Sequence, residues 1–325
     1  MAVALIAIVW AGLTVYAVLG GADFGAGILH LLARGPGAAQ QREAIATAMG
    51  PVWEANHVWL IFAITGLFSA FPRAFSALGT LVFLPATLAL VAIVVRGAAF
   101  AFAAQVNPEP RIRALFQRLF AAASIAAPFL FGAIAGGVAG KGGGQLGFWI
   151  GPFQLAIGAL AVALCTALAA SFLAVESGLA GERDLAATFE RWGVRAVGAA
   201  GALALAALAV AAVDAHNLFH GLTHRALPET LIALATLAGA RAALKRHQYG
   251  LARAAVAFAV VAVMWGWAFA QYPRIVGHAT VANSAASGPE LTAVTVALAA
   301  GLVLLLPSLW LLYVAFRHQP LEVHK

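Results

Sequence analysis

The sequence predicts an all-α, polytopic membrane protein with nine transmembrane helices. Of its 325 residues, 63% are hydrophobic and only 10% are charged, whereas soluble domains carry about 25% charged residues. The mean hydropathy is +0.94. The net charge of +7 comes from basic residues scattered between apolar segments, which excludes the basic stripe of a nucleic-acid-binding surface. We therefore expect a chain that spans a lipid bilayer and satisfies its backbone groups inside helices.

The nine predicted spans are apolar runs of about 20 residues or more, the length that crosses the hydrocarbon core of a bilayer. Segments rich in glycine and proline separate several of them, such as Asn107-Pro108-Glu109-Pro110. Several runs are longer than a bilayer needs, so we expect these helices to tilt or protrude. The spans are predicted at 2–32, 40–71, 75–104, 117–139, 152–177, 190–213, 228–245, 250–271 and 289–316.

Lysine and arginine predict the orientation, because these residues concentrate in cytoplasmic loops. If the N-terminus is outside, 14 of the 19 basic residues flank the inner ends of spans and 4 flank the outer ends. The remaining one, Arg96, lies within a span. The N-terminus is therefore predicted outside and the C-terminus in the cytoplasm, which agrees with an odd number of spans.

Two inward-running spans end in a similar way, with an acidic residue close to glycine. The first span carries Asp23 within Gly20–Gly27, and the fifth carries Glu176 two residues before Gly178. This similarity suggests one integral membrane domain over 1–325, built as two four-helix bundles. The first bundle is predicted at 1–140 and the second at 150–272, with 289–316 as a ninth, peripheral helix.

The segment from Gly50 to Leu60 is unusual, because polar residues interrupt an apolar run. Glu54 and His57 are three residues apart, so a helix would place them on one face. Asn56 lies between them, and Trp53 and Trp59 flank the group, where we expect them to pack. An ionisable side chain at mid-bilayer costs roughly 2.5–3.5 kcal/mol even on lenient scales. This pattern predicts a proton-handling site; the alternative is a helix pair held together by a satisfied Asn and His.

A second carboxylate, Asp23, lies in a patch of small residues. Gly21 and Gly25 have the GxxxG spacing that lets a neighbouring helix approach closely. Asp23 is ~15 Å from the inner end of its span, and Glu54 is ~20 Å deep by the same helical rise. The two carboxylates could thus relay protons inward from the cytoplasm, although Asp23 could instead serve helix packing. Arg96, ~12 Å from the inner surface, could pair with Asp23 or extend to that surface.

Histidines raise the question of a metal or haem site. His216, His220 and His224 recur every four residues, a spacing that can hold a metal on a helix. The segment is an outer connection that contains Gly221, so a solvated loop is favoured over a metal site. His57 could ligate a haem, but a second histidine within a span is not evident. We therefore expect this chain to bind no metal and no haem directly.

Several motifs, in order along the chain, resemble subunit II of the cytochrome bd ubiquinol oxidases. The tryptophan-acid-x-Asn motif in the second span is the most specific, and the close of the chain, from Ser287 through Pro307 and Tyr313 to Arg317, is also similar. The other matching motifs are Gly21-Ala22-Asp23-Phe24-Gly25, Gly50-Pro51-Val52-Trp53-Glu54-Ala55-Asn56-His57-Val58-Trp59-Leu60, Arg96-Gly97-Ala98-Ala99-Phe100 and Ala270-Gln271-Tyr272-Pro273.

The resemblance implies a heterodimer in the bacterial cytoplasmic (inner) membrane that oxidises quinol and reduces oxygen to water. In that family the partner, subunit I, carries haems b558, b595 and d and the quinol site, and subunit II is a haem-free scaffold. The resemblance further implies a cytoplasmic proton path through Asp23 and Glu54, which Asn56 and His57 would orient. It leaves open a quinone or lipid bound against this subunit and small single-span accessory subunits.

The sequence departs from the family pattern at three positions. The family carries Glu and Arg where this chain has Ala101 and Ala103, so a charge network there would be missing. Many members have Asp where this chain has the longer Glu54. A proton- or cation-coupled secondary transporter, which also needs acids near the midplane, is the alternative function.

Overall fold

The computed structural model is predominantly helical and describes residues 1–35, 37–49, 53–105, 109–140 and 148–316. A short 3-10 helix, Trp53–Asn56, lies between the second and third α-helices. The other elements are α1 (Ala2–Leu32), α2 (Ala38–Met49), α3 (His57–Ala70), α4 (Pro72–Gln105), α5 (Pro110–Ala139), α6 (Pro152–Leu179), α7 (Arg183–Asp214), α8 (His216–Thr223), α9 (Leu227–Lys245), α10 (Tyr249–Gln271), β1 (Arg274–Val276), β2 (Ala279–Thr280), α11 (Val281–Ser284) and α12 (Gly288–Phe316).

Eight helices in the described ranges are long and apolar enough to cross a membrane: α1, α4, α5, α6, α7, α9, α10 and α12. They coincide with eight of the nine predicted spans, which confirms the all-α polytopic class. The largest differences are at polar ends, where α5 begins at Pro110 instead of 117 and α7 at Arg183 instead of 190. Their first turns carry charged residues, which a search for apolar runs does not detect.

The second predicted span, 40–71, is wrong as a single helix. The chain there forms α2, the 3-10 helix and α3, and α3 has only 14 residues. α2 ends at Met49, directly before Gly50 and Pro51, which lie outside the described residues. A proline lacks the backbone donor and disfavours the helical conformation of the residue before it. The count of nine spans is therefore not confirmed by helices of spanning length. Glu54 and His57 also belong to different helical elements and not to one α-helical face.

The connection that carries His216, His220 and His224 is not the predicted loop. Residues His216–Thr223 form the short helix α8, which packs against α10. Gly221 makes this contact possible, because a Cβ there would lie 2.6 Å from the carbonyl oxygen of Ala270. After α10 the chain forms a two-stranded antiparallel hairpin, β1–β2, which differs from the predicted all-helical chain.

α6 is the central helix and contacts α1, α5, α7 and α10. Its buried face is rich in alanine, including the fully buried Ala167, Ala170 and Ala174. Small side chains let helix backbones approach closely, which is how membrane helices gain packing contacts. By contrast, the apolar stretch of α12 buries none of its residues within the chain, and α12 packs mainly against α3. This arrangement places the α1–α6 contact in the middle of the molecule.

Candidate functional site

Asp23 lies on α1, where it faces the 3-10 helix. Its carboxylate oxygen Oδ2 accepts a hydrogen bond of 2.5 Å from the Nδ2 of Asn56. Asp23 is half-buried, and Asn56 is the last residue of the 3-10 helix, directly before α3 begins. The break in the second span thus presents an amide donor to a carboxylate inside the helical assembly. Hydrogen bonds to an ionised acceptor are among the strong ones in proteins.

Arg96 on α4 is almost completely buried, with 1% of its surface exposed. Its NH2 group donates to the main-chain oxygen of Asp23 at 2.9 Å, and its Nε donates to the Oγ of Ser124 at 3.1 Å. The guanidinium also lies over the rings of Phe24 and Phe120, 5.2 Å from each centroid. Cation–π contacts of this kind strengthen where water is excluded. The Arg96 side chain therefore stays inside the bundle, and one of its contacts with Asp23 is to the main-chain oxygen of that residue.

Ser124 connects Arg96 to α5. Its Oγ accepts from Arg96 and donates to the main-chain oxygen of Phe120 at 2.7 Å. Ser124 is fully buried, and the close approach of α1 depends on Gly27, where a Cβ would lie 2.0 Å from the Ser124 Oγ. Sequence reasoning missed Ser124, because a single serine in an apolar helix usually bonds to its own helix backbone.

His57, the first residue of α3, contacts α1. Its Nδ1 lies 3.3 Å from the hydroxyl oxygen of Tyr16, and its ring packs against the rings of Tyr16 and Phe24. Tyr16 is buried, and it precedes Asp23 by seven residues, so both lie on one face of α1. That spacing was the signal in the sequence that could have identified Tyr16. The polar face of α1 therefore continues from Asp23 toward the N-terminus of the helix.

The glycines around Asp23 bring α1 against α6. A Cβ at Gly25 would lie 1.9 Å from the carbonyl oxygen of Cys165, and one at Gly21 would lie 3.1 Å from a methyl group of Leu168. The residue at position 25 must therefore lack a side chain. Trp59 is buried nearby and makes an edge-to-face contact with Phe62. The side chains of Trp53 and Glu54 lie outside the described part of the structure, although their backbone belongs to the 3-10 helix.

The three histidines around α8 do not form a metal centre. The rings of His220 and His224 stack with centroids 3.9 Å apart, and His216 and His220 are exposed. Within the described ranges, no group of three or more His, Cys, Asp or Glu side chains is placed to hold a metal ion. The polar cluster of interest is therefore the one around α1. We call it the α1 cluster, and it consists of Tyr16, Asp23, Asn56, His57, Arg96 and Ser124.

The comparisons with known proteins identify the family. Residues 1–316 match the family model described as cytochrome bd terminal oxidase subunit II. The chain belongs to this family. It is 27% identical over 108 residues to a putative cytochrome bd menaquinol oxidase subunit II of Bacillus subtilis, and 33% identical over 67 residues to a cytochrome bd ubiquinol oxidase subunit 2 of the same organism. These matches cover 33% and 21% of this chain, and 31% and 20% of the two relatives.

The fold is also similar to a solved structure of a bd oxidase from Geobacillus thermodenitrificans. The TM-score is 0.81 at 21% sequence identity, with 98% of this chain and 99% of that chain covered. At this identity the similarity concerns the fold. Membership of the subunit II family supports a multi-pass membrane subunit of a terminal oxidase complex, and it does not support the alternative of a coupled transporter.

Proposed function

We propose that this chain is the haem-free second subunit of a quinol-oxidising, oxygen-reducing bd-type oxidase, and that the α1 cluster carries protons through it. The observation that carries the proposal is the Asp23–Asn56 hydrogen bond beside the buried Arg96. A carboxylate at this depth is costly to keep, and such residues commonly mark proton relays. The haem-bearing partner, subunit I with haems b558, b595 and d, would supply the oxygen reduction that consumes these protons.

Within the relay, Asp23 would hold a proton on its carboxylate and release it to the next acceptor. Asn56 would fix the carboxylate orientation through its Nδ2, and Glu54, two residues earlier, would be the second acid of the path. The positive charge of Arg96 lies close to Asp23, and the attraction between the two charges offsets part of the cost of burying them. Arg96 would thus act as the charge partner that keeps a carboxylate tolerable at this depth.

His57 and Tyr16 would orient the far end of the path. Their contact of 3.3 Å joins α3 to α1, so the end of the 3-10 helix is held against α1 at Asn56 and the start of α3 at His57. A fixed donor–acceptor geometry favours transfer along hydrogen bonds or through one intervening water. The movement of protons from the cytoplasm, together with proton release from quinol outside, would generate a membrane potential.

The test is the oxygen-consumption rate of the purified complex with Asp23→Asn. Asparagine keeps the shape of the side chain and removes the proton-carrying oxygen, so we expect turnover to fall about 10- to 100-fold with assembly intact. Glu54→Gln should act in the same direction. Glu176→Gln, which changes an exposed acid at the end of α6, is the matched control and should stay within about twofold. Normal turnover of both Asp23→Asn and Glu54→Gln would remove these residues from the path.

We further propose nine membrane crossings, with the N-terminus outside and the C-terminus in the cytoplasm of a bacterial inner membrane. Eight helices of spanning length support this number, with the ninth crossing made by α2, the 3-10 helix and α3. The bias of basic residues toward one side supports the orientation. An alkaline phosphatase fused after Lys325 should remain inactive, because that enzyme needs the outer compartment; an active fusion would contradict the orientation.

A further inference from the structure

Four basic side chains lie on α7 and α9, two helices that pack against each other: Arg191, Arg195, Arg241 and Lys245. All four are exposed. On each helix the two residues are four apart, so they form one stripe per helix. Arg241 on α9 approaches α7 at Gly198, where a Cβ would lie 3.5 Å from the Arg241 Nε. We call these four residues the basic groove.

The two stripes lie at the same height. Asp214 ends α7 and Leu227 begins α9, so these two residues mark the ends of the helices that are far from the basic residues. Arg195 is ~28 Å along α7 from Asp214, and Lys245 is ~27 Å along α9 from Leu227. The contact between Leu244 and Gly193 fixes this register, since a Cβ at Gly193 would lie 3.0 Å from Leu244. A hydrocarbon core is about 30 Å thick, so the groove lies at the membrane boundary. Arg241 lies one turn deeper.

The two helix segments that carry the groove contain no acidic residue. No acidic residue occurs in α7 from Arg191 to Val213, or in α9 from Thr230 to Lys245. Glu190, which directly precedes Arg191 in the sequence, accepts a hydrogen bond from Tyr249 and lies 2.7 Å from His247. Among the described residues, the ion pairs are Glu190–His247 and Glu176–Arg253, and neither involves the groove. Like charges four residues apart on a helix repel one another, and this repulsion grows near the low-dielectric hydrocarbon.

We propose that the basic groove binds the phosphate headgroup of an anionic phospholipid. A phosphodiester placed between Arg195 and Arg241 would neutralise the repulsion and accept their guanidinium hydrogen bonds, which suit phosphate geometry. The acyl chains would lie along the apolar outer parts of α7 and α9, where Leu205 and Leu231 are exposed. The positive charge of the groove and its position at the membrane boundary favour a lipid as the ligand, because basic pockets between membrane helices bind anionic headgroups at the depth of the headgroup region. This site is separate from the α1 cluster.

The experiment uses the complex purified in detergent, stripped of lipid and titrated with phosphatidylglycerol, with binding followed by native mass spectrometry. The wild-type complex should bind phosphatidylglycerol in preference to phosphatidylcholine. The double variant Arg195→Gln/Arg241→Gln should bind it about 30-fold more weakly. Arg195→Lys/Arg241→Lys, which keeps both charges, should recover most of the affinity. The control Arg111→Gln/Arg183→Gln changes two exposed arginines outside the groove and should bind as the wild type does.

A parallel thermal-unfolding series separates the lipid from a free anion. Phosphatidylglycerol should raise the melting temperature of the wild-type complex, and inorganic phosphate at the same concentration should not. The proposal is overturned if the glutamine double variant binds phosphatidylglycerol as tightly as the control. Equal binding of phosphatidylcholine, or equal stabilisation by inorganic phosphate, would overturn it as well.

Discussion

The C-terminal ends of α1 and α6 carry similar local sequences, yet the structure gives their acids different environments. Asp23 is half-buried, and Asn56 donates to its carboxylate. Glu176 is 45% exposed and pairs at 3.7 Å with Arg253, which is itself 47% exposed. Asp23 lies nine residues before the end of α1, whereas Glu176 lies three residues before the end of α6. Depth along the helix, more than the acid-and-glycine pattern, therefore determines whether a carboxylate is enclosed.

The comparison extends to the neighbouring residues. Each acid has an arginine that also contacts phenylalanine: Arg96 lies over Phe24 and Phe120, and Arg253 lies 6.0 Å from Phe172. A tyrosine hydroxyl lies 3.3 Å from a histidine Nδ1 in both regions, Tyr16 with His57 and Tyr249 with His247. One set is inside the helical assembly and the other is at its surface. Paired substitutions can therefore separate the effect of burial from that of residue type.

The largest expected effect is from Arg96→Met, compared with Arg253→Met. Removing the buried guanidinium leaves the Ser124 hydroxyl and the Asp23 carbonyl without this donor, and losing one member of a buried charged network costs about 3–5 kcal/mol. Arg253 belongs to an exposed pair that contributes about 0–1 kcal/mol. The thermal midpoint of the purified complex should fall by many degrees for Arg96→Met and stay nearly unchanged for Arg253→Met. Equal midpoints would show that burial does not distinguish the two arginines.

The second effect concerns the glycines beside the two acids. In Gly25→Ala the new methyl group would overlap the carbonyl of Cys165, so α1 and α6 must separate, at a cost of about 1–3 kcal/mol or more. In Gly178→Ala the methyl group would lie 3.4 Å from the ring of Tyr249, an ordinary contact. We expect a lower melting temperature and yield for Gly25→Ala alone. A Gly25→Ala complex as stable as Gly178→Ala would contradict the close approach of α1 and α6.

The smallest effect is from Tyr16→Phe, which keeps the ring and removes the hydroxyl next to His57. A neutral hydrogen bond contributes about 1 kcal/mol, so we expect oxygen-consumption turnover to fall by roughly two- to fivefold. Tyr249→Phe removes the corresponding hydroxyl at the surface and should leave turnover unchanged. The same loss in both variants would indicate that the hydroxyls act through general stability, and no loss in Tyr16→Phe would remove Tyr16 from the orientation of the path.

The membrane class and eight of the spans could be predicted from the amino-acid sequence, because the length of an apolar run and the Gly/Pro-rich loops are local properties of the chain. The sequence also predicted Asp23, Glu54, Asn56, His57 and Arg96 as site candidates, since polar residues are conspicuous in apolar runs. The described structure brings Asp23, Asn56, His57 and Arg96 into one region; the side chain of Glu54 lies outside the described part.

The partners of these residues depend on how the helices pack and could not be predicted from the sequence. Ser124 and Tyr16 look like ordinary helix residues until α5 and α3 are packed against α4 and α1. The sequence did not predict the 3-10 segment at Trp53–Asn56, although Gly50 and Pro51 precede it, because the segment was counted as part of one long apolar span. Hydrophobicity determines that a segment enters the bilayer, whereas hydrogen bonds and close backbone contacts between distant helices determine which of its polar atoms meet.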